Sequence, residues 1–297
     1  MPGVILDFVW RNPYLFSNVP GLAIVIFLAR RTRYRDYARA AIFSGLACIP
    51  CSLAEPLSGA YWRPKLLGGM TWGVESALFT FVSGATVWMI ATAAIRKDCS
   101  IKARSFAEIF RRMTPGALAV TALFLVLLRL GVNCVTAAVV SPVPLLIFLL
   151  FRRSSLWRLS VAGLVGFTPF YALVVKLQFA VWPNYLSYWN PGGTWGTLVF
   201  GVPRGEVAWA AIMGATWPVA IASALNVRFA ARAAQADFAL HEHAQPETVG
   251  RVCPVPANAA AANDAGAWHS TAMAAASTLD SDRTCKTYAM ISGQTVP

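Results

Sequence analysis

The chain is expected to fold as an all-α, polytopic membrane bundle of about seven transmembrane helices. Within it, two parallel three-helix repeats are joined by a linker helix. Three observations carry that expectation: an apolar composition, basic charge at every second junction, and an internal repeat. The 297 residues are 57% hydrophobic and 13% charged, and the mean hydropathy is positive. That is more apolar surface than one soluble core can hide. Crossing a bilayer takes about 20 apolar residues per helix, and seven stretches qualify, at roughly 14–30, 37–58, 73–95, 115–131, 132–151, 156–182 and 205–230. The opening "MPGVILDFVWRNP" lacks a basic n-region and a small-residue cleavage site, so the first helix is expected to insert and stay.

Charge orders these helices, because cytoplasmic loops of membrane proteins are enriched in Lys and Arg. "ARRTRYRDYAR" follows the first span, "IRKDCSIKARSFAEIFRRM" the third, "FRRSSLWR" the fifth, and Arg228 and Arg232 the seventh. The junctions between them hold only Arg63 and Lys65, Arg129, and Arg204. The alternation predicts an outside N-terminus and a cytoplasmic C-terminus in the cell (inner) membrane. Topology and anionic lipid headgroups account for the net charge of +12, so membrane lipid is the expected partner and nucleic acid is not. From about residue 234 the composition turns to Ala, Ser, Thr, Asp and Pro, which predicts a disordered cytoplasmic tail over 234–297 behind a transmembrane domain of 1–233.

The repeat shows in the loops. "PLSGAYWRP", Pro56 to Pro64, matches "PNYLSYWNP", Pro183 to Pro191, at a constant offset of 127, with Pro, Tyr, Trp and Pro in register. Downstream, "GVESALFTFVSGATVW" matches "GVPRGEVAWAAIMGATW", the shared Gly-Ala-Thr beginning at Gly84 and at Gly214. The halves therefore cover about 14–95 and 132–230, and the helix at 115–131 links them. An odd number of spans between their starts gives them the same orientation, related by an axis along the membrane normal. Both Tyr-Trp-x-Pro loops then lie on the outer side.

Three acids belong to the predicted membrane region: Glu55 ends the second span, Glu75 opens the third and Glu206 opens the seventh. Acids there are costly, and are usually functional or paired. The plainer role for Glu75 and Glu206 is to sit in a helix first turn, where the macrodipole and free N–H groups favour a carboxylate. Lys176, in "YALVVKLQF", is the basic group deepest in a span; it is a candidate partner for one of the acids, or a lysine snorkelling to the interface. Tyr61, Trp62, Trp72, Trp88, Tyr188, Trp189, Trp195, Trp209 and Trp217 are expected toward the same face, where an interfacial belt is the ordinary reading. Trp88, Trp209 and Trp217 lie deeper, where rings can line a cavity. Aromatic faces beside a protonated carboxyl suit carbocation chemistry, since ring quadrupoles stabilise cations and a dry acid stays neutral and able to donate.

Absences narrow the chemistry. His241, His243 and His269 all fall in the tail, so no histidine metal site or triad is expected in the membrane. "CIPC", Cys48 to Cys51, is an isolated Cys-x-x-C in an apolar helix, and packing is its expected role. Dinucleotide and Walker A fingerprints are missing, as is an aspartate-rich diphosphate motif, so no cofactor or metal is expected.

On "EPLSGAYWRP" followed by "GVESALFTF", on "SYWNP" followed by "GVPRGEVAW", and on the two three-helix halves, the sequence resembles the integral-membrane lycopene cyclases of bacteria, archaea and fungi. The resemblance covers about 14–230. In that family each half carries two adjacent acids, in the style Pro-x-Glu-Glu or Pro-x-Glu-Asp, at the start of its third helix. Here Ser76 stands beside Glu75, and Gly205 stands where the first acid of the second half would fall, between Pro203 and Glu206. The resemblance implies a non-redox intramolecular lyase or isomerase in carotenoid (terpenoid) biosynthesis. Glu206 is the expected proton donor, with Glu75 as counterpart and Glu55 as third candidate. Tyr61, Trp62, Trp88, Tyr188, Trp189, Trp209, Trp217 and Lys176 are expected around a hydrophobic polyene. A carotenoid hydratase or another membrane terpene cyclase uses the same protonation. A small-molecule transporter and a non-catalytic membrane subunit remain as other classes, and homo- or hetero-oligomers are compatible with all of them.

Overall fold

The computed structural model describes residues 2–31, 35–59, 61–95, 98–103, 105–190 and 195–230. The tail expected over 234–297 lies outside the described residues. Among the described residues ten α-helices follow one another: α1 Pro2–Arg11, α2 Pro13–Phe16, α3 Val19–Arg31, α4 Arg35–Cys48, α5 Val74–Ile95, α6 Phe106–Arg129, α7 Cys134–Val140, α8 Val143–Arg152, α9 Trp157–Val181 and α10 Arg204–Ala224. They make seven helical stretches long and apolar enough to cross a membrane: Pro13–Arg30, Asp36–Ser58, Val74–Ile95, Phe106–Arg129, Cys134–Arg152, Ser154–Val181 and Arg204–Ala224. The protein is a polytopic helical membrane bundle.

Local chemistry explains where the observed helices depart from the expected spans. The linker helix starts at Phe106 and not near 115, because Ser105 caps it, accepting from the Glu108 amide at 3.2 Å. The charges of "EIFRR" that read as loop ride on an exposed helical face, where Arg112 pairs with Glu108 at 2.7 Å. The fifth span is two pieces, α7 and α8, parted at Ser141 and Pro142, where proline removes an amide from the ladder. The second span gives way after Cys48 to a 3-10 segment, Ile49–Ser58, containing Pro50 and Pro56.

The ends of the helices sort as the charges predicted. On one end, β1 (Asp98–Ile101) pairs antiparallel with β4 (Val227–Ala230). Asp36 accepts from the Ile101 amide at 3.2 Å. Arg153 donates to the Ala222 carbonyl at 3.0 Å, one of the orphan acceptors that the α10 C-terminus leaves, and to the Val227 carbonyl of β4 at 2.6 Å. The junctions after the first, third, fifth and seventh spans thus meet at one end of the bundle. The other end carries the two Tyr-Trp-x-Pro loops and a short hairpin, β2 (Leu198–Val199) with β3 (Val202–Pro203).

The two halves are built alike. α4 packs along α5 as α9 packs along α10, and α5 also packs against α9, joining the halves. The repeated Gly-Ala-Thr marks the crossings. A Cβ on Gly84 would meet the Ser44 carbonyl and the Cys48 side chain, both 2.7 Å away, and one on Gly214 would meet the Gly163 carbonyl at 2.6 Å. Glycine is what lets backbones approach this closely in a membrane bundle. Pro218 adds to the second crossing, because it has no amide for the Gly214 carbonyl, which faces Gly163.

Candidate functional site

The two matching loops meet each other. Trp62 and Trp189 form an antiparallel bridge; the Arg63 amide donates to the Tyr188 carbonyl and the Asn190 amide to the Tyr61 carbonyl, each at 2.9 Å. The offset of 127 exchanges these two bonds, so the loops pair across the pseudo-two-fold relation between the halves. The paired indoles lie with ring centroids 3.9 Å apart at an interplanar angle of 39°. Around them pack Tyr14, Tyr61, Leu66, Val135 and Tyr185, all buried.

Each indole of that pair serves an acid of its own half. Trp189 donates to Oε1 of Glu206 at 2.9 Å, and Trp62 donates to Oε1 of Glu55 at 3.2 Å. The other Glu206 oxygen, Oε2, accepts from the Tyr171 hydroxyl at 2.7 Å. Tyr171 then opens onto an aromatic group: its ring lies 5.2 Å from Trp209 and 6.4 Å from Phe79, and Phe79 stacks on Trp209 at 5.8 Å. Glu206 accordingly sits in the first turn of α10 with a donor on each oxygen and rings to one side. The ion pairs found among the described residues, Arg11–Asp7, Arg39–Asp36 and Arg112–Glu108, do not include it.

Glu75 is placed differently. It is 2% exposed, its Oε1 accepts from the Leu67 amide at 2.7 Å, and its Oε2 has no hydrogen-bond partner among the described residues. It is a neighbour of Glu55, beside which Ser76 also lies. Tyr14 lies near both Glu55 and Glu206. One station therefore holds Glu206, and a second holds Glu55 with Glu75.

The crowding around Glu206 also explains Gly205. A Cβ there would run into the hydroxyl and ring of Tyr61, so the position beside Glu206 is filled by a phenol from the first half. Tyr61 lies between two spans and is buried; its hydroxyl is close to the Glu206 carboxyl yet outside hydrogen-bond geometry. Burial, and then the charge of Glu206, raise the phenol above its ordinary value, so Tyr61 is present as a donor and not as a phenolate.

Of the other expected site residues, Tyr61, Trp62, Tyr188, Trp189 and Trp209 come together at the acids. Trp88 and Trp217 do not. Trp88 is fully buried toward the basic end, where it packs with Leu156, Leu159 and Val219. Trp217 donates to Ser44 Oγ at 2.9 Å, and Ser44 in turn donates to the Gly84 carbonyl at 2.6 Å, which ties the halves together. Trp72 donates to Ser52 and Trp195 to Thr136. Lys176 is exposed on α9 and belongs to none of the ion pairs found among the described residues. Sequence reasoning missed Tyr14, Phe79, Tyr171 and Tyr185. For Tyr171 the available signal was a hydroxyl-bearing ring inside an otherwise apolar span, as in "PFYALVV".

Among the described residues no group of three or more His, Cys, Asp or Glu is placed to hold a metal ion. Cys48 and Cys51 are free thiols, the first buried and the second exposed. No family model, no curated protein and no solved structure matches the chain, so the site is read from its own geometry.

Proposed function

We propose that the protein is a carotenoid end-group cyclase of the lycopene cyclase type, working on a polyene in the membrane without redox change. The observation that carries the reading is the setting of Glu206: a carboxyl with one donor on each oxygen, no ion pair among the described residues, and the rings of Tyr171, Trp209 and Phe79 alongside. A protonated Glu206 gives its proton to the terminal double bond of the acyclic end group. The neighbouring double bond of the same chain closes the ring on the resulting cation, which the rings stabilise. Loss of one ring proton to a base restores a double bond, and the substrate and product are isomers. Glu55, reached through the paired Trp62 and Trp189, takes the accepting role ahead of Glu75, whose carboxyl is turned to the Leu67 amide. Two carboxyls in different surroundings can divide acid and base work in this way. On the charge alternation, the acid end faces outside and the C-terminus the cytoplasm.

The test is expression in cells that accumulate lycopene. Cyclic carotenoids in the pigment extract are the expected result, and an unchanged extract would remove the function. Hydroxylated acyclic product would mean that water quenches the cation and the protein is a hydratase. One observation favours a transporter as a second reading: the second and fifth spans are broken, at Ile49–Ser58 and at Ser141–Pro142, and broken helices occur at transport sites. Solute uptake by proteoliposomes, with no pigment change in cells, would select it.

A further inference from the structure

Resting on the reading of Glu206 as proton donor, we infer that Tyr61 completes its acid site from the other half of the molecule. The Tyr61 hydroxyl is the third donor to the Glu206 carboxyl, engaged once that carboxyl has released its proton. Tyr61 is 8% exposed and its hydroxyl has no hydrogen-bond partner among the described residues. Buried hydroxyls are rarely left unbonded, because leaving water without a replacement partner is costly. This one points into the space that a side chain at residue 205 would occupy. Glycine in a helix first turn gives up helix propensity, and here that loss leaves room for the phenol beside Glu206.

The phenol is held there by the paired loops. The Tyr61 carbonyl accepts from the Asn190 amide, and the next residue, Trp62, is bridged to Trp189, which itself donates to Glu206. The counterpart in the repeat, Tyr188, does nothing similar: it is only half-buried, with its ring against Trp62 and Tyr185. The asymmetry puts one three-donor acid in a molecule made of two similar halves.

The uncharged carboxyl is served by Trp189 and Tyr171 and keeps its own proton to give. As that proton leaves, negative charge grows on both oxygens and the carboxylate takes a further donor. The waiting Tyr61 O–H turns to it. A bond made only as charge develops favours the transition state over the resting state. Tyr61 acts through Glu206 and is a positioning residue.

The experiment compares Tyr61→Phe with the parent by three readouts: ring formation in lycopene-containing membranes, thermal melting in detergent, and the infrared carboxylate bands of deprotonated Glu206, assigned by difference against Glu206→Gln. The expected result is a loss of about tenfold or more in rate, the size of one hydrogen bond to a charged group, with melting unchanged and the Glu206 bands displaced. Tyr61→Ala with Gly205→Ala supplies a second line: Gly205→Ala lowers the melting temperature in the parent, and less so when Tyr61 is Ala. Glu206 bands and rate unchanged in Tyr61→Phe would overturn the inference, as would a Gly205→Ala variant that melts like the parent in both backgrounds. A parent that makes no ring while its Glu206 bands respond to Tyr61→Phe would remove the cyclase reading and leave the Tyr61–Glu206 contact standing.

Discussion

Glu75 and Glu206 open the third helix of their respective halves, after matching loops and before matching Gly-Ala-Thr crossings, yet they are in different situations. Glu75 is sealed in, with one oxygen on the Leu67 amide and the other without a hydrogen-bond partner among the described residues. Glu206 is only half-buried, with Trp189 and Tyr171 on its oxygens and an aromatic group next to it. The same frame has made one acid that fastens a loop and another with side-chain donors on both oxygens and aromatic rings beside it. What differs is the supply of donors: the second half brings its own Trp189 and Tyr171 and borrows the flank of Tyr61, whereas Trp62 of the first half serves Glu55.

The common frame can be broken first, and with the largest effect. Gly84→Val and Gly214→Val each drive a branched side chain into the facing helix. Each is expected to cost about 1–3 kcal/mol or more, seen as lower folded yield and a lower melting temperature in detergent. If only one of the two mattered, the equivalence of the crossings would fall. The fastening role of Glu75 comes next. Glu75→Gln keeps an acceptor for the Leu67 amide but adds a buried amide NH2, and about 1–2 kcal/mol of stability should be lost with ring formation retained in the folded fraction.

A smaller and more selective effect separates the two indoles. Trp189→Phe removes a donor from Glu206 and should slow ring formation about tenfold, while Trp62→Phe, acting on Glu55, should slow it less. Equal effects would mean that the two stations work as one. Smallest of all, Lys176→Gln should leave both melting and product within error, since surface substitutions usually stay within about 0.5 kcal/mol. A strong effect there would restore the pairing of Lys176 with an acid.

Much of the frame was legible because its signals are spread over many residues. The paired loops could be found from Tyr, Trp and Pro in register, and the bridge between Trp62 and Trp189 is the physical reason they match. The repeated Gly-Ala-Thr records a backbone approach that only small residues allow. The start of α6 was hidden, because Arg111, Arg112 and Glu108 look like loop composition until Ser105 is recognised as a cap. At the site, the acids stood out as charges in an apolar chain, but their differences did not. Whether a carboxyl meets the Leu67 amide or the Tyr171 hydroxyl depends on which side chains distant segments bring to it. Tyr171, 35 residues from Glu206 along the chain, carries no local mark of that contact. Trp88 and Trp217 were indistinguishable in sequence from Trp209, and only the packing of α5 and α10 sends Trp88 toward the basic end and turns the Trp217 indole to Ser44.

The claim on which the rest depends is that Glu206 delivers the proton. The direct measurement is the pigment profile of lycopene-accumulating cells making the parent, Glu206→Gln or Glu75→Gln at matched protein levels. Cyclic product from the parent and from Glu75→Gln, with a loss of at least about a hundredfold in Glu206→Gln, is the predicted result. Ring formation by Glu206→Gln at the parent's level would contradict it.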